Sequence, residues 1–151
     1  MSKIKIDLFW ELNKGELLPG KYSNKHEIIF TSDKRISADS APDWNGKESN
    51  VNPEQTLAAS LSSCHMMTFL ALAAKMKWQV LSYKDNAIAT LGKNSKGQMS
   101  VTQIELNPKV QFSKGFSVKE EEMKKIQDRA HRYCFIANSL SSEVKVRINE
   151  I

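Results

Sequence analysis

Residues 52–76 read NPEQTLAASLSSCHMMTFLALAAKM, and this stretch decides the architecture. Asn52 can cap a helix, Pro53 suits its first turn, Glu54 favours the positive end, and Gln55 sits where a capping box needs it. From Leu57 no glycine or proline interrupts the run, so the pattern predicts one helix to about Met76. Its apolar part is about as long as a membrane span. Ser60, Ser62, Ser63, His65 and Thr68 interrupt it, however, and a buried central helix is the better reading. Cys64 falls in mid-helix, on the face of Leu57, Leu61, Met67 and Ala71.

Upstream, Ile4, Ile6, Leu8 and Trp10 alternate at period two and predict a strand over about residues 3–12. No apolar signal core follows it. Leu18-Pro19-Gly20 marks a turn, His26–Thr31 a second strand, Ser32-Asp33-Lys34 a turn, and Ile36 a short third strand. Asp39 to Asn52 form a long polar connection, and loops of that length in compact domains are more often functional than idle. Downstream, strands are expected over Trp78–Leu91 and Met99–Phe112, joined by a turn at residues 92–97. The apolar phase slips between Val101 and Ile104, which suggests a bulge. A second helix is expected from Ser117, boxed by Glu120, with Met123, Ile126, Ala130 and Tyr133 as its apolar stripe. Val144, Val146 and Ile148 read as a last strand. Strands, helix, strands, helix, strand make an α+β chain, and residues 1–151 read as a single domain.

The chain has a formal charge of +5, with hydrophobic residues at 40% and charged residues at 26%. Lysines and acids are scattered rather than massed, so the excess reads as solvated surface and argues against nucleic acid. A cytoplasmic protein with no membrane association is expected. In that compartment two cysteines do not form a permanent staple. Cys64 and Cys134 are therefore either inert buried thiols or a redox couple.

Three motifs occur in order: Asn52-Pro53-Glu54-Gln55, then Ser62-Ser63-Cys64-His65, then Ala130-His131-Arg132-Tyr133-Cys134-Phe135-Ile136-Ala137-Asn138-Ser139. Together they resemble the OsmC/Ohr family, the osmotically induced protein C and organic hydroperoxide resistance proteins, over nearly the whole chain. The resemblance implies an α+β fold with antiparallel sheets around two central helices, and an intertwined homodimer with active sites at the subunit interface. It also implies thiol-dependent reduction of organic hydroperoxides. In that scheme Cys64 is the attacking cysteine, Cys134 resolves its sulfenic acid, and Glu54 positions an arginine beside the reactive sulfur. No resident cofactor or metal is implied, because an external thiol or lipoyl-type dithiol supplies the electrons.

The chain departs from the family at the arginine. Where related chains read Tyr-x-Arg-x-His, this one has Tyr22-Ser23-Asn24-Lys25-His26. Lys25, His26 and, near Cys134, His131 are the candidate charge-stabilising groups, with Arg35 further off in the pattern. A lysine lacks the planar fork that grips a carboxylate and a peroxide together. Met67, Phe69 and Phe135 are candidate walls of a substrate pocket, or plain core. Two other readings stay open. One is a catalytically weakened protein that binds a small hydrophobic ligand. The other is a zinc site made of Cys64, His65, His131 and Cys134.

Overall fold

The computed structural model describes residues 1–149, which form an α+β fold of two compact units divided along the chain between Thr56 and Leu57. In the first unit, β1 (Asp7–Phe9), β2 (His26–Thr31) and β3 (Lys34–Ala38) form an antiparallel sheet in the order β1-β2-β3. β1 is shorter than its alternation predicts. Only three residues pair with β2, and the side chains of Ile4, Ile6 and Leu8 are exposed.

The polar connection after β3 is built around Asp39. Its carboxylate accepts hydrogen bonds from the N–H groups of Ser40 (2.9 Å) and Lys47 (3.2 Å) and from the Asn50 amide (3.3 Å). Burial alone would raise the Asp39 pKa, but these donors outweigh it and hold the group below the usual range. Gly46 closes the loop, donating its N–H to Ala41 O at 3.2 Å. A Cβ there would lie 1.5 Å from the backbone oxygen of Ser40. No side chain can yield to relieve that overlap, so Gly46→Ala is expected to cost at least about 1–3 kcal/mol. A melting temperature equal to that of the parent would disprove the close approach.

Helix α1 (Pro53–Lys75) starts as the sequence predicts. The Gln55 N–H donates to Asn52 Oδ1 (2.8 Å), and the Asn52 N–H donates to Gln55 Oε1 (3.0 Å). It is long and apolar enough to cross a membrane, as core helices often are. Ala58, Leu61, His65, Phe69 and Ala73, spaced three and four apart, are its buried row.

The two long strands expected after α1 are each broken once, giving β4 (Val80–Lys84), β5 (Ile88–Lys93), β6 (Met99–Leu106) and β7 (Lys109–Phe112). The breaks face each other. Asp85 Oδ1 accepts the Asn107 N–H at 2.6 Å, the Asn107 amide donates to Asn86 O at 2.8 Å, and Pro108 has no N–H for the ladder. Thus β4 pairs with β7 and β5 with β6. The bulge falls in the predicted interval: Thr90 faces Gln103 and Leu91 faces Val101, leaving Thr102 as the extra residue.

Helix α2 (Glu120–Tyr133) begins three residues later than the Ser117 box predicts. Phe116 and Val118 are half-buried, and Phe116 packs on Phe112 at 5.5 Å between ring centroids. Tertiary packing therefore keeps residues 116–119 out of the helix, and Glu122 accepts from the Lys119 N–H at 3.4 Å instead. After Cys134 a short helix α3 (Phe135–Ser139), absent from the sequence reading, precedes β8 (Lys145–Ile148). β8 runs parallel to β6, so the β5-β6-β8 sheet is mixed, not wholly antiparallel as expected.

Two core clusters hold the second unit. One gathers Ala58, Leu61, Ile104, Leu106 and Cys134, and the other gathers Phe69, Ala73, Ile126 and Ala130. The first half of α1 thus meets the end of α2.

Candidate active site

Cys64 and Cys134 come together where α1 meets the end of α2. Cys134 is fully buried, and Cys64, half-buried, packs against the same cluster. Both are free thiols packed in the same cluster. Burial pushes the Cys134 thiol up to about 11, and its hydrogen bond to Cys64 adds to the shift. The N–H groups of Ala137 and Ile136 oppose it, with Ala137 N 3.4 Å from the sulfur. Cys134 is thereby kept as a thiol.

Cys134 occupies the joint between α2 and α3. Asn138 ties the joint down through its side-chain amide, 3.1 Å from Arg132 O.

The other predicted residues take varied places. Phe69 is fully buried among Trp78, Tyr83 and Ile126, so it is core and not a pocket wall. Met67 and Phe135 are open to solvent, at 58% and 82% exposure, and Ala71 is also exposed. The apolar face of α1 around Cys64 is thus only partly covered.

In the first unit, Lys25 is exposed, and His26 Nδ1 lies 2.7 Å from Asn24 O. Arg35 pairs with Glu27 at 3.4 Å. The Asn24 amide reaches Ser40 Oγ at 3.5 Å. Glu54, in the first turn of α1, has its Oε2 buried without a hydrogen-bond partner among the described residues.

His131 is half-buried, and its Nδ1 has no hydrogen-bond partner among the described residues. The fully buried His65 has its Nε2 2.7 Å from Gln127 Oε1. Burial holds its pKa below the ordinary range and the charge of His131 pushes the same way, while Gln127 and Asp85 oppose them. Because His65 is committed to Gln127, the four-ligand zinc arrangement does not assemble. Among the described residues no three His, Cys, Asp or Glu side chains are grouped to hold a metal.

The sequence reading missed the pairing of His65 with Gln127. The signal was present: His65 follows Leu61 and precedes Phe69 at four-residue steps, which places an imidazole on the buried row, where it must find a polar partner.

The α+β fold thus packs two cysteines, one on α1 and one at the end of α2, into one core cluster. The chain belongs to the OsmC-like protein family, whose model matches residues 46–149. An OsmC-like protein of unknown function from Vibrio cholerae is 40% identical, with a TM-score of 0.89 over 99% of this chain and 100% of that one. The organic hydroperoxide resistance protein OhrB of Bacillus subtilis shares the fold, with a TM-score of 0.70 at 15% identity over 99% and 98% of the two chains. A Legionella pneumophila organic hydroperoxide resistance protein does so as well, with a TM-score of 0.73 at 14% identity over 99% and 98%. No curated protein matches the sequence.

Proposed function

We propose that the protein is a thiol peroxidase that reduces organic hydroperoxides. The observation that carries this reading is that Cys64 and Cys134, far apart in the sequence, pack in one core cluster. The Cys64 thiolate attacks the terminal oxygen of ROOH. The O–O bond breaks, Cys64 becomes a sulfenic acid, and the alkoxide takes up a proton and leaves as ROH. The Cys134 sulfur then displaces hydroxide from the sulfenic sulfur, forming a disulfide and water. Two thiol groups of an external reductant, a monothiol or a lipoyl-type dithiol, reopen the disulfide by exchange and are themselves oxidised. No resident cofactor is needed.

Glu54 supports the reading as a carboxylate whose Oε2 is buried without a hydrogen-bond partner among the described residues, with Lys25 and His26 as the cations proposed in place of the family's arginine. A homodimer is part of the proposal. Ala59, Met67 and Ala71 of helix α1 are exposed, and apolar side chains so placed on a long helix call for cover.

A protein that binds a hydrophobic ligand without efficient catalysis is the second reading, favoured by Asn24 in the arginine's place. One experiment separates the two. After one equivalent of an alkyl hydroperoxide, thiol mass spectrometry is expected to find a Cys64–Cys134 disulfide and an equal amount of alcohol. Two unmodified thiols with intact hydroperoxide would refute the peroxidase.

A further inference from the structure

We propose that His65 and Gln127 form a pin that sets how closely the Cys64 and Cys134 sulfurs approach, acting as positioning residues for the dithiol. The inference rests on the dithiol reading above and deepens it. His65 adjoins Cys64 on α1, and Gln127 lies two turns before Cys134 on α2. Their exposures are 0% and 1%, and their side chains meet at 2.7 Å. The Gln127 amide nitrogen lies 3.8 Å from Met123 Sδ, which turns the amide oxygen toward the imidazole and makes His65 Nε2 the donor.

Two apolar side chains could fill this space at similar stability, since a buried hydrogen bond gains little over an apolar pair of the same shape. A polar pair adds direction. Sliding α1 against α2 by one residue moves it about 1.5 Å along its axis and breaks the bond. Broken, it leaves two buried polar groups unpaired, a penalty that an apolar contact would not carry. The pin therefore selects one register of the two helices that hold the sulfurs.

The groups acting on His65 are Gln127 and His131 from α2 and Asp85 from the turn after β4. Its Nδ1 is buried without a hydrogen-bond partner among the described residues. A second proton there would have no acceptor, so the ring stays neutral and the pin stays closed at neutral pH.

The test compares His65→Phe, Gln127→Met and the double variant with the parent protein. Each disulfide is made with diamide and equilibrated with dithiothreitol, so no peroxide enters the measurement. Each single variant is expected to shift the Cys64–Cys134 equilibrium at least tenfold toward the dithiol. The double variant, with both polar groups gone, is expected to recover the parent's melting temperature but not its disulfide equilibrium. It remains informative even if a single variant fails to fold. Equilibria within twofold of the parent, or recovery of the equilibrium along with stability in the double variant, would reduce the pair to packing and overturn the proposal. A parent chain that forms no such disulfide would overturn it as well. A parent that equilibrates with dithiothreitol yet consumes no hydroperoxide, with the variants shifted as stated, would sink the peroxidase reading and support the pin.

Discussion

The Cys64→Ser protein is expected to consume organic hydroperoxide on the order of 10³-fold more slowly than the parent, as enzymes do when stripped of a nucleophile. Serine is close to cysteine in size, and the site is half-buried and close to solvent, so the fold should tolerate the change. What is lost is acidity. A thiol ionises within reach of neutral pH and a serine hydroxyl does not. Cys134→Ser should behave differently. The first sulfenic acid still forms, but nothing condenses with it, and a peroxide titration followed by intact mass should show oxidation advancing to the sulfinic acid. Parent-like consumption by the Cys64→Ser protein would end the assignment of Cys64 as nucleophile.

Phe69→Ala is expected to be the most damaging single change to stability, at about 3–5 kcal/mol. Phe69 lies at the centre of the second core cluster, its ring 5.4 Å from that of Tyr83 and 6.4 Å from that of Trp78. Removing it opens a cavity between α1, α2 and the β4–β7 ladder, and neighbours held by three elements can collapse only partly into it. A drop of roughly 10 °C or more in melting temperature should follow. A drop of only a degree or two would mean that the ring contributes little to the core and would restore it as a candidate pocket wall.

These two residues also show what could be read without coordinates. Cys64 was legible because the capped start at Asn52 and the unbroken run beyond it define a helix by local chemistry alone, and because its motif has a second half around Cys134. Phe69 and Met67 are both large apolar residues of one helix, yet the first is buried and the second exposed, so residue type could not tell core from pocket. That distinction depends on Trp78 and Tyr83, which arrive from elsewhere in the chain. The broken strands were missed for the same reason. Asp85 and Asn107 are ordinary turn residues until the hairpin sets them opposite each other. Residues 117–119 follow a good capping pattern but lose to the packing of Phe116 and Val118. Helix α3 is too short to show a period, and its cap is a cysteine, a residue type not among the usual capping side chains.

The two sulfurs sit on either side of the entire β4–β7 hairpin. Oxidation would therefore enclose residues 64 to 134, nearly half the chain, in a covalent ring. Closing a ring of that length removes disorder available to the unfolded chain, worth about 4 kcal/mol in the chain-entropy model. The oxidant would thus leave a tougher molecule than it met, and each reducing thiol would return it to a softer one.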